Sequence, residues 1–301
     1  MRQEISVILG FDMETDIGSW TPYYTGLLKG TPKILNLLSE KDIKATFFFT
    51  GEAAKKYPGV VREVARENHE VGCHSLFHET VGDELFSVPG TNPLLPEEVP
   101  LRLKKATEWV EEALEGKVVS FRAPRLWGST IMVSTLESLG YKADASYPLY
   151  YYGEQLAPYH PSRDDWTKEG NLKILEIPVF ADLTIESEDE HGRDRDQWPV
   201  FRTEGARELM KHIINHLRYL RDSGLRAVLC FYFHPWEFTE MPKGPIYVSL
   251  EGSVLPKAYL IRNCGDYALQ QLEKTIDDLK SMGAIFLKAI ELAKKWDIPQ
   301  R

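Results

Sequence analysis

The chain has only three cysteines among 301 residues, Cys73, Cys230 and Cys264, and no two of them form a CxxC pair. This scarcity argues against a disulfide framework or a structural zinc knot, and it favours buried thiols in a reducing compartment. No apolar run is long enough to cross a bilayer, so membrane insertion is not expected. Lysine and arginine form no dense run and the formal net charge is −9. Nucleic acid is therefore not an expected partner.

The N-terminus enters an apolar segment at Ser6 without the charged region, apolar stretch and cleavage site of a signal peptide. This predicts a cytoplasmic protein. Hydrophobic residues make up 43% of the chain, which suffices for a substantial core. Since no linker-like segment divides the sequence, we expect one domain over residues 1–301, with loop insertions near 79–96 and 149–171. The polar run at 186–199 is expected to be a solvated loop.

Short apolar runs alternate with amphipathic segments from end to end. Strands are predicted at 6–11, 44–49, 69–72, 118–121, 143–146, 174–179, 226–233 and 285–287. Helices are predicted at 58–66, 97–114, 203–222, 267–282 and 290–296, and a further one starts at Pro32 with Thr31 as its N-cap. This alternation indicates a parallel α/β architecture, either a barrel or an open sheet.

Two histidines, His74 and His78, follow the third predicted strand. If this segment forms a helical turn, side chains four residues apart point the same way. Imidazole pairs at this spacing are common zinc ligands, and Ser75 or a backbone carbonyl could orient their second ring nitrogens. Buried histidines with a purely structural role are the alternative.

Acidic residues end the first predicted strand. Asp12 and Glu14 point to the same side of an extended segment. Two carboxylates leaving a buried strand are costly unless they are paired, hydrogen-bonded or bound to a metal. One of them could ligate a metal while the other accepts a proton from water. Asp16 could replace either, and an ordinary acidic turn is the alternative.

Two further strands end in polar residues suited to catalysis. Arg122 follows the fourth strand and could hold a carboxylate by a bidentate contact, or it could form an ordinary salt bridge. His234 ends the strand at 226–233 and could protonate a leaving amine, or it could be a core histidine. Barrel enzymes place their chemistry at the carboxyl ends of the strands, where all these residues fall.

In this order the motifs resemble those of the polysaccharide deacetylase family, also called the NodB-homology or carbohydrate esterase family 4 fold. They are Asp12 with Glu14, His74-Ser75-Leu76-Phe77-His78, Arg122-Ala123-Pro124, Asp144-Ala145-Ser146, and His234. The resemblance spans residues 5 to about 240, most of the chain.

The resemblance implies an α/β fold, a distorted (β/α) barrel with about seven parallel strands. It implies one divalent metal, usually Zn2+, with Glu14, His74 and His78 as its ligands. Asp12 would be the general base, oriented by Arg122, and His234 the general acid. The backbone N–H of Arg125 would help to hold the oxyanion.

The sequence departs from the common pattern of two adjacent aspartates, because Met13 separates Asp12 from Glu14. In this it resembles an atypical branch that includes cytoplasmic peptidoglycan-deacetylase-like and allantoinase-like proteins. Arg125 stands where many members have an aromatic residue and could contact an anionic group such as phosphate. The other candidate substrate contacts are Asp144, Ser146, Trp127 and Trp236. Trp127 could stack on a sugar ring, or it could belong to the core or to an oligomer contact.

The leading functional prediction is metal-dependent removal of an acetyl group from an N-acetylated sugar or glycan. A second candidate is hydrolysis of a small cyclic amide or imide, with or without metal, or deformylation of a lipid-linked amino sugar. A third, of another class, is a catalytically silent glycan-binding module. The resemblance is also compatible with a homo-oligomer.

Overall fold

The computed structural model describes residues 4–296 apart from 19, 89–90, 199, 244–245, 250–251 and 255–257. Within this part of the chain, one sheet contains eight parallel strands: β1 (Ile5–Met13), β2 (Thr46–Phe49), β3 (Glu70–Cys73), β4 (Ser120–Phe121), β5 (Ala143–Asp144), β6 (Leu175–Glu176), β7 (Ala227–Phe233) and β10 (Ile285–Phe286). The short strands β8 (Ile246–Ser249) and β9 (Gly252–Val254) pair antiparallel to each other. Every strand predicted from the sequence is present, most of them shorter than predicted.

Strand β1 is the centre of the sheet, and all nine of its residues are buried. It pairs with β7 on one side; on the other side its first half pairs with β10 and its second half with β2. The order continues from β2 through β3, β4 and β5 to β6. After β6 the chain meets β7, where the N–H of Phe180 donates to the carbonyl of Cys230 (2.8 Å). The sheet is thus curled into a distorted barrel, which confirms the predicted fold class.

Helices connect the strands and cover the outer face of the sheet. They are α1 (Thr31–Glu40), α2 (Gly51–Lys56), α3 (Pro58–Arg66), α4 (Val99–Leu114), α5 (Thr130–Leu139), α6 (Leu149–Tyr152), α7 (Val200–Thr203), α8 (Ala206–Asp222), α9 (Ala258–Ile261), α10 (Asp266–Ser281) and α11 (Ala289–Trp296). The predicted helices are all present, whereas α2, α5 and the one-turn helices α6, α7 and α9 were not predicted. Helix α5 is rich in β-branched residues, which have low helix propensity, although Ser129 caps it by accepting the N–H of Met132 (3.2 Å).

The prediction that Thr31 is an N-cap is wrong. A π-helical turn, Gly26–Gly30, runs directly into α1, so the chain is already helical at Thr31. The Thr31 side chain is fully buried instead of capping a helix end. The close approach of Gly26 and Gly30 to the backbone at 235–236 fixes this turn beside the end of β7.

Replacing Gly30 with alanine is expected to lower the free energy of unfolding by about 2–4 kcal/mol. The added Cβ would lie 2.0 Å from the carbonyl oxygen of Pro235, a rigid backbone atom. Chemical denaturation measures the effect, with Gly59→Ala as the matched control, because a Cβ at Gly59 meets nothing within 4 Å. The control is expected to be neutral or to gain up to about 1 kcal/mol. Equal stability of the two variants would contradict this packing.

Candidate metal centre and active site

The carboxyl ends of β1 and β3 bring three side chains together. Glu14 follows β1, whereas His74 and His78 follow β3. The Oε2 atom of Glu14 lies 2.6 Å from Nε2 of His78 and 3.5 Å from Nε2 of His74. All three side chains are buried, and one potential ligand atom from each lies within 4.8 Å of the others. This spacing suits a single cation held between them.

The segment from His74 to His78 is not a helical turn, so that prediction is wrong. It is a loop in which Ser75 and His78 have φ angles of 66° and 60°. The Glu79 carboxylate holds the loop by accepting the N–H of Phe77 (2.5 Å) and the hydroxyl of Ser75 (3.2 Å). Left-handed backbone at two non-glycine residues is costly and concentrates at functional sites. The two imidazoles therefore converge through loop geometry and not through helical periodicity.

The hydrogen bonds around the cluster do not supply a positively charged partner for the Glu14 carboxylate. The Nδ1–H of His74 donates to the carbonyl of Arg122 (2.7 Å), which leaves the Nε2 lone pair on the side of Glu14. Both carboxylate oxygens of Glu14 are buried, and in the described part of the chain no backbone N–H or hydroxyl donates to them; the groups that face them are the imidazoles of His74, His78 and His234. A buried carboxylate with so few donors is costly, and a divalent cation would remove that cost. Two imidazole nitrogens and one carboxylate oxygen are ligands that Zn2+ accepts, so these residues fit the metal that the resemblance implies.

The protonation states also suit a cation. Burial alone would raise the pKa of Glu14, but the imidazoles of His78, His74 and His234 hold it well below its usual range. Burial lowers the pKa of His78, although the nearby Glu14 carboxylate opposes this shift. At neutral pH the cluster therefore favours an ionised carboxylate beside a neutral imidazole. These are the forms in which both groups bind metal ions.

Asp16, the alternative third ligand, has a different role in the structure. Its Oδ1 accepts the N–H of Gly26 (2.8 Å) and its Oδ2 accepts the N–H of Thr25 (2.9 Å). Both carboxylate oxygens thus hold the start of the π-helical turn before α1. Among the described residues, the cluster of potential metal ligands contains Glu14 and not Asp16.

Asp12 lies against a fully buried arginine. Nη1 of Arg122 donates to Oδ1 of Asp12 (3.1 Å), and its Nε donates to the carbonyl of Ala145 (3.0 Å). The guanidinium also lies 4.5 Å from the centre of the Phe48 ring. A Cβ on Gly10 would lie 2.2 Å from Nη1 of Arg122, so glycine is what makes room for this pair. The arrangement fixes the orientation of the Asp12 carboxylate at the end of β1.

His234 directly follows β7 and lies close to the cluster, with Nε2 3.9 Å from Oε1 of Glu14. Its Nδ1–H donates to Glu237 (2.9 Å), and the other oxygen of Glu237 accepts Nε–H of Arg202 (2.7 Å). Burial would lower the pKa of His234, but the hydrogen bond to Glu237 and the charges of Glu14, Glu237 and Asp12 raise it above its usual value. His234 is therefore held in an orientation, and near a protonation state, that suits a proton donor.

Replacing Glu237 with glutamine is expected to lower kcat about 10- to 100-fold. Glu237 raises the pKa of His234, so the substitution lowers that pKa and His234 loses its proton at a lower pH. The alkaline limb of the pH profile of kcat/KM should then move to lower pH. Glu137→Gln, at a residue on the surface helix α5 that pairs with Arg163, is the control. An alkaline limb that stays in place would show that His234 is not the acid.

Arg125 lies beside the cluster in strained backbone. It has φ 60° and ψ 6°, and the next residue, Leu126, has φ 63°. Its Nη1 donates to the carbonyl of His78 (3.3 Å) and to the hydroxyl of Thr80 (3.1 Å). The side chain is partly exposed, as a substrate contact requires.

The structure places the other predicted substrate contacts in the interior. Asp144, Ser146 and Trp127 are fully buried, and Trp236 is 2% exposed. The Ser146 hydroxyl donates to Asp144 and accepts the N–H of Ala123 (2.8 Å). Trp236 stacks on His234 with ring centres 5.4 Å apart. These side chains offer almost no surface to a ligand: Ser146, bonded to Asp144, holds Ala123, and Trp236 packs against His234. Direct substrate contact by these residues stays a prediction.

Several site residues were missed because their partners lie far away in the sequence. Apart from their charge, nothing in the sequence indicated that Glu237 and Arg202 belong to the site. Glu176 accepts the N–H groups of Ser146 (2.9 Å) and Tyr147 (2.8 Å). It lies against Asp144, and burial raises the pKa of both acids.

The polar run at 186–199 is not a purely solvated loop, which corrects another expectation. Asp196 is 2% exposed, and Arg193 donates to the hydroxyls of Tyr150 (3.0 Å) and Tyr232 (2.7 Å). The Tyr232 hydroxyl donates in turn to Asp196 (2.8 Å). These contacts attach the run to β7, two residues before His234.

No helix in the described residues is both long and apolar enough to cross a membrane.

Residues 3–143 match the polysaccharide deacetylase family. This match includes Asp12, Glu14, His74, His78 and Arg122, whereas His234 lies beyond it. A peptidoglycan-N-acetylglucosamine deacetylase of Bacillus cereus is 26% identical in a match that covers 48% of this chain and 58% of that protein. The chain spans from about a third to under two thirds of the curated relatives that it matches first.

Solved structures of similar fold cover nearly the whole chain. A candidate polysaccharide deacetylase from Mycobacterium smegmatis has a TM-score of 0.62 at 19% identity, covering 100% of this chain and 94% of that one. The Puue allantoinase has a TM-score of 0.61 at 14% identity, covering 98% of this chain and 91% of that one. At these identities the likeness establishes the fold alone. Together with the sequence match, it confirms the resemblance to the polysaccharide deacetylases.

Proposed function

We infer that this chain is a hydrolase of the polysaccharide deacetylase type that removes the acetyl group from an N-acetylated sugar or glycan, using one divalent cation. The observation that carries the proposal is the meeting of Glu14, His74 and His78 at one sheet edge, with Asp12 and His234 beside them. The match of residues 3–143 to the family supports the same activity. A purely glycan-binding module would not need a buried arginine aligned on Asp12 or a carboxylate aligned on His234.

A cation held by Glu14, His74 and His78 would polarise the acyl carbonyl and lower the pKa of a water molecule, and Zn2+ suits this donor set. The Asp12 carboxylate, oriented by Arg122, accepts the proton of the attacking water. The backbone N–H of Arg125 donates to the oxyanion as the carbonyl carbon becomes tetrahedral. His234 then gives its proton to the departing nitrogen, so that the C–N bond breaks to acetate and an amine.

Hydrolysis of a small cyclic amide or imide is the second candidate. It is favoured by the fold likeness to Puue allantoinase, which is about as strong as that to the candidate deacetylase. The same base and acid would serve it, because the reaction is again attack by water on an amide carbonyl. Deformylation of an amino sugar would also use them.

Assays of the zinc-loaded protein distinguish these candidates. We expect acetate release from chito-oligosaccharides or peptidoglycan fragments and no turnover of allantoin or hydantoin. Turnover of the cyclic compounds alone would make hydrolysis of a cyclic amide or imide the leading function in place of deacetylation. Tight glycan binding without turnover of any N-acyl compound would instead favour the silent binding module.

A further inference from the structure

Two buried acids, Asp144 and Glu176, lie side by side at the edge of the sheet that carries the site. Each is the last residue of its strand, β5 or β6, and the two are register partners in the parallel ladder. Their side chains are within hydrogen-bonding reach of each other, and neither residue is exposed to solvent. Two ionised carboxylates in contact repel each other and have no water to solvate them there. The pair therefore needs a positive charge between its members.

The hydrogen bonds of the pair leave one gap, which a single proton fills. Oε1 of Glu176 accepts the N–H groups of Ser146 (2.9 Å) and Tyr147 (2.8 Å), and Oδ1 of Asp144 is bonded to a hydroxyl. The other two oxygens, Oδ2 of Asp144 and Oε2 of Glu176, are buried and accept no hydrogen bond from any other described residue. A carboxyl group that keeps its proton is a donor, so one proton between these oxygens completes both acids. Burial also raises the pKa of both groups, the direction that retains a proton.

Ser146 connects the acid pair to the segment that follows β4. Its hydroxyl donates to Oδ1 of Asp144 and accepts the N–H of Ala123 (2.8 Å). The shared proton would lie on the opposite oxygen of Asp144, so Oδ1 stays an acceptor and the hydroxyl keeps this direction. Ala123 stands two residues before Arg125, whose backbone N–H is the proposed oxyanion donor.

The pair is also connected to Arg122, which orients the proposed base. Glu176 holds the N–H of Ser146, and the carbonyl of the preceding residue, Ala145, accepts Nε–H of Arg122 (3.0 Å). Arg122 in turn donates to Asp12 (3.1 Å). Short chains of hydrogen bonds therefore run from the two buried acids to both the base and the oxyanion donor of the proposed mechanism.

We propose that Asp144 and Glu176 share one proton and, as a pair, position the segment 122–125 for catalysis. Both are positioning residues, since they act through Ser146 and Ala145. The inference rests on the proposed function for its kinetic readout, whereas the shared proton is measured without substrate. It requires that the two side chains match each other: two acids with one proton can bond, and so can one acid and one amide, but two amides cannot.

The kinetic test combines Asp144→Asn, Glu176→Gln and the double variant. In each single variant an amide N–H replaces the shared proton, so kcat should fall by less than about 10-fold. In the double variant two amide N–H groups face each other, and turning either amide only moves the mismatch to Ser146 or to the backbone. We expect kcat to fall about 100-fold with KM little changed, because the segment acts on the transition state.

A double variant at two acids outside the site, Glu137→Gln with Asp266→Asn, is the matched control and should keep wild-type kcat. If the double variant of the acid pair does not fold, Ser146→Ala decides, because it cuts the connection to Ala123 and leaves both acids in place. It should lower kcat about 10- to 100-fold with KM little changed. Wild-type kcat in Ser146→Ala would refute the positioning role.

Infrared difference spectroscopy tests the shared proton directly, without turnover. At neutral pH we expect the C=O stretch of a protonated buried carboxyl, shifted in D2O, and its loss in both Asp144→Asn and Glu176→Gln. Glu70→Gln, at a buried acid that begins β3 and so lies at the other end of the sheet, should keep this band. A band that survives in either single variant of the pair, or its absence from wild type, would refute the shared proton.

The outcomes separate this inference from the proposed function. If no N-acyl compound is hydrolysed but both single variants lose the band, the proposed function fails and the shared proton stands. If deacetylation occurs and the double variant keeps the kcat of the single variants, the positioning role is refuted while the proposed function stands.

Discussion

The His78→Ala variant is expected to bind Zn2+ at least about 100-fold more weakly than wild type and to lose turnover by about 1,000-fold or more. His78 offers its Nε2 2.6 Å from Glu14, and the cluster has only three candidate ligands among the described residues. Removing one leaves two donors, too few to hold the ion firmly. His74→Ala should behave in the same way. The measurements are zinc affinity by competition with a chelator and acetate release at saturating zinc.

His216→Ala is the matched control for the loss of a buried imidazole. His216 lies on α8, is 1% exposed and is not part of the cluster. Its replacement should lower stability by leaving a cavity, without changing zinc affinity. If His78→Ala bound zinc as tightly as wild type, the assignment of the ligands would be wrong.

The Asp12→Asn variant is expected to keep its metal and lose turnover by about 1,000-fold. The asparagine amide has the shape of the carboxylate and can still accept the hydrogen bond from Arg122, but it cannot take a proton from water. Stability should fall by about 1–3 kcal/mol, because the buried guanidinium of Arg122 loses its counter-charge. Zinc content, acetate release and chemical denaturation give the three readouts.

Asp266→Asn, which changes an exposed aspartate paired with Lys33, provides the control. It should leave zinc content and turnover unchanged and alter stability only slightly. Full turnover in Asp12→Asn would rule out Asp12 as the base. Loss of zinc from that variant would instead assign Asp12 to the ligand set.

The positions of the strands along the chain, and the strand ends that carry polar residues, could be predicted from local patterns. The apolar run at 6–11 indicated a strand buried on both faces, and β1 is such a strand. Because parallel strands place their carboxyl ends at one edge, the sequence also predicted that Asp12, His74, Arg122 and His234 would meet. These residues converge because each of them lies at the carboxyl end of a parallel strand, and short apolar runs in the sequence identify such strands.

Features that depend on tertiary contacts could not be predicted. The spacing of His74 and His78 suggested a helical turn, yet the backbone is a loop that Glu79 holds. Thr31-Pro32 has the local form of a helix start, but packing of Gly30 against Pro235 extends the helix backwards. The hydrogen bond between Arg202 and Glu237 joins residues 35 positions apart in the sequence, so no local motif predicts it.

The most direct test of the account is the activity of metal-stripped wild type during titration with Zn2+. Acetate release from an N-acetylated oligosaccharide is expected to be negligible after chelation and to rise until about one equivalent of zinc per chain has been added. Turnover that persists undiminished in the stripped protein would contradict the central claim that Glu14, His74 and His78 hold a catalytic metal.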